Sequence, residues 1–151
     1  AIKTFTQKVA WKDLDFIIVD MPPGTGDTQL TFAQGINMDG AIIISTPQEI
    51  ALQDVKRGIR MFDKLKVNIV GLVDNMSYFI GDDGKKYPIF GEGGVERTAE
   101  EFKKKFLGKI PIDPKVGKAG DLGKPIVEDD ITHEISKIYV DFAKILKNIY
   151  L

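Results

Sequence analysis

Residues 15–27 read DFIIVDMPPGTGD, and this stretch decides which fold the rest of the sequence predicts. Residues 16–19 are apolar at every position, whereas a strand with one face in water alternates apolar and polar residues. An acid, Asp20, follows directly, and two prolines and a glycine come soon after it. We therefore expect residues 16–19 to form a strand buried on both faces, with a stiff polar turn at its end.

Similar apolar runs occur three more times along the chain, at residues 41–45, 67–73 and 106–110. Apolar residues at a spacing of three or four are typical of a helix that packs by one face. We expect helices at residues 2–9, 52–65, 96–105 and 131–149. Buried strands that alternate with helices predict an α/β fold, with a doubly wound, mainly parallel sheet flanked by helices on both faces.

The amino-acid composition limits which classes of partner and which compartment we expect for this protein. The chain has 151 residues, about one domain, and its 21 basic and 22 acidic residues give a formal net charge of −1. That balance does not suit a surface that neutralises many phosphates, so we expect no nucleic-acid partner. No apolar run is long enough for a membrane span. Cysteine is absent, which fits a reducing compartment, and we expect a cytoplasmic protein.

Polar or conformationally special residues follow each apolar run, at residues 20–27, 46–48, 74–77 and 111–114. In open α/β sheets the ligand sits in a crevice outside the carboxyl ends of the strands. The sequence therefore predicts one binding crevice at that edge of the sheet.

Four apolar residues followed by an acid, here residues 16–19 and Asp20, form the Walker B pattern. In this pattern the carboxylate holds the magnesium of a nucleotide directly or through water. The next turn has a rigid start, because Pro22 and Pro23 restrict the backbone, and a flexible end at Gly24. Loops that sense a γ-phosphate are commonly built in this way. Two alternatives stay open: an acid that caps the next turn, and a stiff turn without functional meaning.

The phosphate side of such a site is missing from the sequence. A phosphate-binding loop needs Gly-x-x-x-x-Gly-Lys-Ser/Thr, and none of the Gly-Lys pairs has a glycine five positions earlier. Residues 91–94 are glycine-rich but contain no lysine, so we expect a loop that enters the next helix. These 151 residues alone are expected to show negligible ATPase activity and at best weak nucleotide binding.

Two further polar residues have competing interpretations. The Asn75 amide can hydrogen-bond the edge of a base, or it can form an Asx turn or a helix cap. His133 lies off the apolar stripe of the last helix, and we expect it to be a solvated helix residue. The polar face of that helix carries both signs of charge, so we expect the helix to pack on the sheet rather than on a membrane.

Residues 15–27 closely resemble the signature of the Mrp/ApbC-type ATPases, iron–sulfur cluster carriers within the ParA/MinD-like group of P-loop proteins. Four further stretches resemble that family in the same order: residues 46–54, 75–79, 89–94 and 108–114. The resemblance runs from about residue 11 to residue 130. It implies a P-loop NTPase-like fold that is incomplete on its N-terminal side.

The resemblance also implies which residues contact the ligands. Asp20 would serve magnesium, through a water molecule. The nucleotide-sensing switch would be Pro22, Pro23 and Gly24, and the adenine would be flanked by Asn75, Pro111 and Asp113. Residues 1–151 would form the C-terminal portion of a single ATPase domain, with the family's phosphate-binding loop upstream.

The family's activity implies ATP hydrolysis by the full-length protein, a homodimer, and a cluster that bridges two subunits for delivery to client apoproteins. In much of the family a Cys-x-x-Cys pair follows the Asn-Met-Ser segment, whereas residues 80–85 here read IGDDGK. A non-catalytic scaffold or adaptor of the same fold is therefore an alternative, and a ParA/MinD-like positioning ATPase is another.

Overall fold

This computed structural model describes residues 9–21 and 26–151, and ten secondary-structure elements lie between Asp27 and Tyr150. In chain order they are α1 (Asp27–Gly35), β1 (Ala41–Ser45), α2 (Glu49–Lys64), β2 (Ile69–Ile80), β3 (Lys86–Tyr87), α3 (Gly94–Glu101), β4 (Phe106–Ile112), α4 (Pro114–Asp121), α5 (Ile126–Asp129) and α6 (Glu134–Tyr150). The helix expected at residues 2–9 lies almost wholly outside the described residues.

Strand β2 is the centre of the sheet. It pairs in parallel with β1 on one side and with β4 on the other, and its last residues pair antiparallel with β3. Phe79 is in register with both Tyr87 and Ile112, so β3 and β4 lie on opposite sides of β2. The mainly parallel sheet predicted from the apolar runs is confirmed.

Both faces of the sheet are covered by helices. Successive residues of a strand point to opposite faces, and accordingly Leu72 packs with α2 and α3 while Val73 packs with α4, α5 and α6. Ile59 in α2 and Ile135 in α6 are almost completely buried on the two sides. The doubly wound arrangement is therefore confirmed.

Side-chain caps determine where two of the helices begin. The Asp113 carboxylate accepts a hydrogen bond from the Lys115 N–H at 2.7 Å, and Pro114 occupies the first position of α4, where no N–H is needed. Nδ1 of His133 accepts a hydrogen bond from the Ile135 N–H at 3.3 Å at the start of α6. Both caps lie at the edge of the sheet where the crevice is expected.

The strand predicted at residues 16–19 is wrong for this structure. Residues 9–21 contain no strand or helix, and Ile17 and Ile18 are 54% and 77% exposed. A strand buried on both faces needs a neighbour to pair its backbone and cover for its side chains. In the described part of the chain neither is supplied to residues 16–19.

Two further differences concern β2. The apolar pattern predicts its end at residue 73, but pairing with β4 carries the strand on to Phe79, past an irregularity between Asn75 and Phe79, and pairing with β3 carries it to Ile80. Residues 74–77 therefore lie inside the strand rather than after it. The hairpin to β3 was not expected, because its second strand is only two residues long and leaves no periodic signal.

The helices differ from the prediction mainly at their ends. Helix α3 stops at Glu101 rather than at residue 105, because Lys103 has a positive φ of 55° that a helix cannot continue through. Helices α1, α4 and α5 were not predicted, since each is too short for a clear period. Among the described residues, none of the helices combines the length and apolarity that crossing a membrane requires.

Candidate functional site

Three of the predicted strand ends meet at one edge of the sheet. Because β1, β2 and β4 are parallel, their carboxyl ends lie together: Ser45 is in register with Asp74, and Asn75 with Ile110. The loop after β1, the middle of β2 and the exit of β4 are thereby brought to one place. The fourth predicted contributor, residues 20–27, belongs to a segment that forms no strand and includes residues 22–25, which lie outside the described residues.

The loop after β1 is braced by the glycine-rich loop before α3. A Cβ on Gly94 would lie 2.6 Å from the Pro47 carbonyl oxygen and 2.7 Å from Leu52, so only glycine fits there without movement. Gly93 precedes the helix with a positive φ of 69°. The expectation that residues 91–94 form a loop entering a helix is confirmed, and two of the family-like stretches are in direct contact.

Asp74 is buried on the α3 side of the sheet. It is 1% exposed, and its Oδ1 has no hydrogen-bond partner within the described residues. Burial raises its pKa to about 6, while the nearby Lys109 ammonium opposes this rise and Glu96 adds to it. Lys109 in turn lies 3.9 Å from the Glu96 carboxylate. A buried carboxyl with an unused oxygen costs stability, and such costs are typical of functional sites.

Asn75 is half-buried in β2, next to Asp74 and opposite Ile110. In the described part of the chain its side-chain amide makes no hydrogen bond to another protein group. Because it lies within a strand, it forms neither an Asx turn nor a helix cap. Its amide can therefore donate to and accept from a ligand at this edge.

The Asp113 side chain is already engaged within the protein. One carboxylate oxygen, Oδ1, caps α4 through the Lys115 N–H, and the other, Oδ2, lies 3.4 Å from Nε2 of His133. Asp113 therefore supports the loop of residues 111–114, because both of its carboxylate oxygens contact other groups of the protein.

The expectation that His133 is a solvated helix residue is wrong. His133 precedes α6 as its cap, so it never lies on the periodic face of the helix, and its side chain is only 15% exposed. The signal in the sequence that pointed to a helix cap was the position of His133, two residues before Ile135, the first buried residue of the apolar stripe. Its partner Asp113 is twenty residues away and could not be identified from spacing.

A cavity of about 240 Å³ opens between the end of β2, the loop after β4 and the start of α6. Phe79, Ile80, Pro111 and Ile112 give it apolar walls, and Asp113, Pro114, His133, Glu134 and Ile135 complete its lining. Asn75 does not line it. Within the described residues, this cavity and the Asn75 amide are two features of this edge that are accessible to a ligand.

The magnesium side of the site is less complete. Asp20 ends the exposed segment of residues 9–20, which carries no secondary structure. Pro22, Pro23 and Gly24 lie outside the described residues. No three acidic or histidine side chains within the described ranges converge in a way that could hold a metal ion. A single carboxylate such as Asp20 still has the hard oxygen donors that magnesium prefers when nucleotide phosphates supply the remaining ligands.

Residues 80–85 form a closed turn between β2 and β3. The Gly81 N–H donates to the Lys85 carbonyl at 2.9 Å, and Asp83 accepts from the Lys85 N–H at 3.0 Å and the Tyr87 hydroxyl at 2.8 Å. These hydrogen bonds hold the pKa of the exposed Asp83 carboxyl below its usual value. Carboxylates are poor ligands for an iron–sulfur cluster, which prefers thiolates, so these residues do not fit one.

Comparison with protein families gives one match over almost the whole chain. The family described as ParA, NUBPL iron-transfer P-loop NTPase, matches residues 1–149. The chain is 48% identical over 149 residues to the iron–sulfur cluster carrier protein of Pyrococcus horikoshii, covering 98% of this chain and 50% of that protein. It is 42% identical over 150 residues to the Aquifex aeolicus protein of the same name, covering 99% and 41%. The chain thus spans half or less of the length of these relatives.

Solved structures agree with the sequence comparison. A nucleotide-binding protein from Archaeoglobus fulgidus in complex with ADP is 41% identical, with a TM-score of 0.74, covering 82% of this chain and 51% of that chain. The cell division ATPase MinD of Pyrococcus furiosus is 22% identical, with a TM-score of 0.70, covering 98% and 56%. The likeness to MinD concerns the fold alone, which is that of a P-loop NTPase.

Proposed function

The chain belongs to the family of NUBPL-type iron-transfer P-loop NTPases, and from this premise we propose that it provides the base-binding part of an ATP site in an iron–sulfur cluster carrier. The observation that carries the proposal is the Asn75 amide, which has no protein partner in the described residues and lies inside β2, one position beyond the residue that pairs with the end of β1. Adenine presents both donors and acceptors along its edge, and a carboxamide can match both.

The phosphate end of the nucleotide is proposed to lie on the side of residues 20–24. Asp20 would hold magnesium through water, and Pro22, Pro23 and Gly24 would respond to the γ-phosphate. Bound magnesium neutralises charge on the phosphates during transfer to water. Asn75 and the loop of residues 111–114 would hold the base, so that the phosphates are presented to Asp20 in a fixed direction.

The phosphate-binding loop is proposed to be supplied from outside these 151 residues, which contain no such motif. Two observations support this. Relatives in the family are about twice as long as the matched region. The apolar residues 16–19 have the composition of a doubly buried strand but lack both pairing and cover in the described structure. Residues 1–151 would then be the C-terminal portion of one ATPase domain.

Iron–sulfur cargo is proposed for the whole protein, which would act as a cytoplasmic homodimer that serves client apoproteins. The turn of residues 80–85 is not proposed to bind the cluster, because it is closed by its own hydrogen bonds and offers carboxylates. That same observation favours a second candidate function, an ATP-dependent adaptor that uses this fold without carrying a cluster. We propose no positioning role, since the relation to MinD is one of fold only.

The proposal is tested on the protein encoded by the complete reading frame, by calorimetric titration with ATP and magnesium. Asn75→Asp keeps the size of the side chain but replaces its donors with acceptors, so ATP affinity is expected to fall about tenfold or more. Asn148→Asp, an exposed position on α6, is the matched control and is expected to bind normally. Equal ATP affinity for the Asn75→Asp variant and the wild type would overturn the proposal.

Anaerobic reconstitution with iron and sulfide separates the two candidate functions. A stable cluster that transfers to an acceptor apoprotein would support the carrier. ATP binding with no cluster would support the adaptor.

A further inference from the structure

His133 connects the first turns of two helices that belong to different parts of the sequence. Its Nδ1 accepts the Ile135 N–H, so the proton of the neutral ring is on Nε2, which lies 3.4 Å from Oδ2 of Asp113. The other oxygen of Asp113 accepts the Lys115 N–H. We call the His133–Asp113 contact the latch, because it ties the start of α6 to the start of α4.

Among the contacts between basic and acidic side chains in the described residues, the latch is the most shielded from water. The side chains of His133 and Asp113 are 15% and 27% exposed, whereas those of Lys144 and Asp141 in an exposed pair on α6 are 66% and 67% exposed. Exposed pairs contribute little because water and salt screen them. The partial burial of the latch lets it restrict the loop of residues 111–114.

The backbone around His133 is fixed by contacts that do not involve its ring. Oδ1 of Asp130 accepts hydrogen bonds from the N–H and the hydroxyl of Thr132, and the Ser136 hydroxyl donates to the carbonyls of Ile126 and Asp130. Ser136 is completely buried. A change of the imidazole can therefore remove the latch without unfolding the start of α6.

His133 and Asp113, the two residues of the latch, line the 240 Å³ cavity together with the apolar side chains of Phe79 and Ile80. Two carboxylates, Asp113 and Glu134, border this cavity, and their charge repels phosphate groups. Apolar walls and proline rings suit the flat face of a base. The cavity therefore fits the base end of a nucleotide and not its phosphate end.

We propose that His133 is a positioning residue for the base end of the nucleotide. By holding the Asp113 carboxylate, it fixes the loop of residues 111–114 in the shape that closes the cavity and keeps the carboxylate from turning towards the base. This inference rests on the proposed function. Without the latch, the side chains of the loop must be ordered when the ligand binds, and this ordering lowers the affinity.

The test uses the protein from the complete reading frame, with ADP and inorganic pyrophosphate as calorimetric probes. His133→Asn keeps an acceptor for the Ile135 N–H, since asparagine is a good helix cap, but it is too short to contact Asp113. ADP affinity is expected to fall about three- to tenfold, which corresponds to the ordering cost. Pyrophosphate has no base, and its affinity is expected to stay unchanged.

Two companion variants distinguish the latch from a purely structural role. In Asp113→Asn the side-chain oxygen still caps α4, but the new amide NH2 faces the Nε2–H of His133, and two donors cannot bond to each other. This variant is therefore expected to weaken ADP binding as well. Both single changes break the same contact. The ADP affinity of the double variant is therefore expected to be no lower than that of the single variant with the lower affinity. Asp141→Asn, which removes an exposed carboxylate on α6, is the control and is expected to bind ADP normally.

The outcomes separate the inference from the proposed function. Wild-type protein that binds ADP no better than His133→Asn overturns the inference and leaves the proposed function standing. Equal losses for ADP and pyrophosphate also overturn it, because a positioning role at the base end spares the phosphate probe. Wild-type protein that binds neither probe overturns the proposed function, and the inference fails with it.

Discussion

The carbonyl oxygen of Pro47 lies only 2.6 Å from the place where a Cβ on Gly94 would be. The backbone of the loop after β1 therefore packs closely against the start of α3. Pro47 and Gly94 are forty-seven residues apart in sequence. The Pro47 oxygen belongs to the backbone and cannot turn aside as the end of a flexible side chain does. The edge of the sheet that carries Asp74 and Asn75 is thus fixed by backbone packing.

Gly94→Ala is predicted to destabilise the fold. The added methyl group would meet the Pro47 carbonyl and Leu52, and overpacking of this kind costs about 1–3 kcal/mol. Gly117→Ala is the matched control, because a Cβ there meets nothing within 4 Å in the middle of α4. We expect it to raise stability by about 0.5–1 kcal/mol. Urea denaturation measures both, and a neutral Gly94→Ala variant would contradict the packing described here.

The ionisation of Asp74 predicts an unusual dependence of stability on pH. Its pKa is 3.8 when unfolded and about 6 when folded, so the folded state holds the proton more tightly. Its stabilising contribution is fully present below pH 3.8 and is lost as the pH rises through 6, by about 3 kcal/mol in total. Asp74→Asn removes this titration.

The measurement compares the wild type with Asp74→Asn by urea denaturation at pH 5 and at pH 7.5. The stability of the variant relative to the wild type is expected to be higher at the upper pH, because the wild type then carries a buried charge and the variant does not. An identical stability difference at the two pH values would show that Asp74 does not titrate in this window.

Exposed apolar residues near the start of the described structure lead to a third prediction. Ile18 is 77% exposed, so Ile18→Ser in residues 1–151 is expected to change the unfolding free energy by less than about 0.5 kcal/mol. Ile59→Ala is the contrasting variant, since Ile59 is 0% exposed, and a loss of about 2–5 kcal/mol is expected.

The same Ile18→Ser change becomes informative in the protein from the complete reading frame. If residues 16–19 there form the buried strand that their composition suggests, the variant is expected to lose about 2–5 kcal/mol, as a core substitution does. Denaturation curves of the two lengths of protein, each with and without the change, give the comparison. A neutral effect in both would contradict the proposal that a larger domain covers this segment.

The sequence predicts the part of the fold that depends on local patterns. Apolar runs identify β1, β2 and β4, and the three-to-four spacing identifies α2 and α6. Residues 16–19 show the limit of this reasoning, because an apolar run becomes a strand only where neighbours pair with it. The hairpin to β3 and the continuation of β2 depend likewise on pairing between strands, which periodicity does not encode.

The candidate site shows the same division. The position after apolar runs singled out residues 74–77 and 111–114, and the resemblance to the Mrp/ApbC-type family implied the roles of Asn75, Pro111 and Asp113. The structure brings these stretches to one edge. The burial of Asp74 could not be predicted, because it follows from β2 continuing past the expected end. The role of His133 depends on its proximity to Asp113, which arises only when α6 packs beside the exit of β4.

Calorimetric titration of ATP with magnesium, run in parallel on residues 1–151 and on the protein from the complete reading frame, tests the central claim most directly. If this chain provides the base-binding part of the site and the phosphate-binding loop comes from elsewhere, the complete protein binds ATP with micromolar affinity and residues 1–151 bind it far more weakly. Micromolar affinity in residues 1–151 alone, or no ATP binding by the complete protein, would contradict the account.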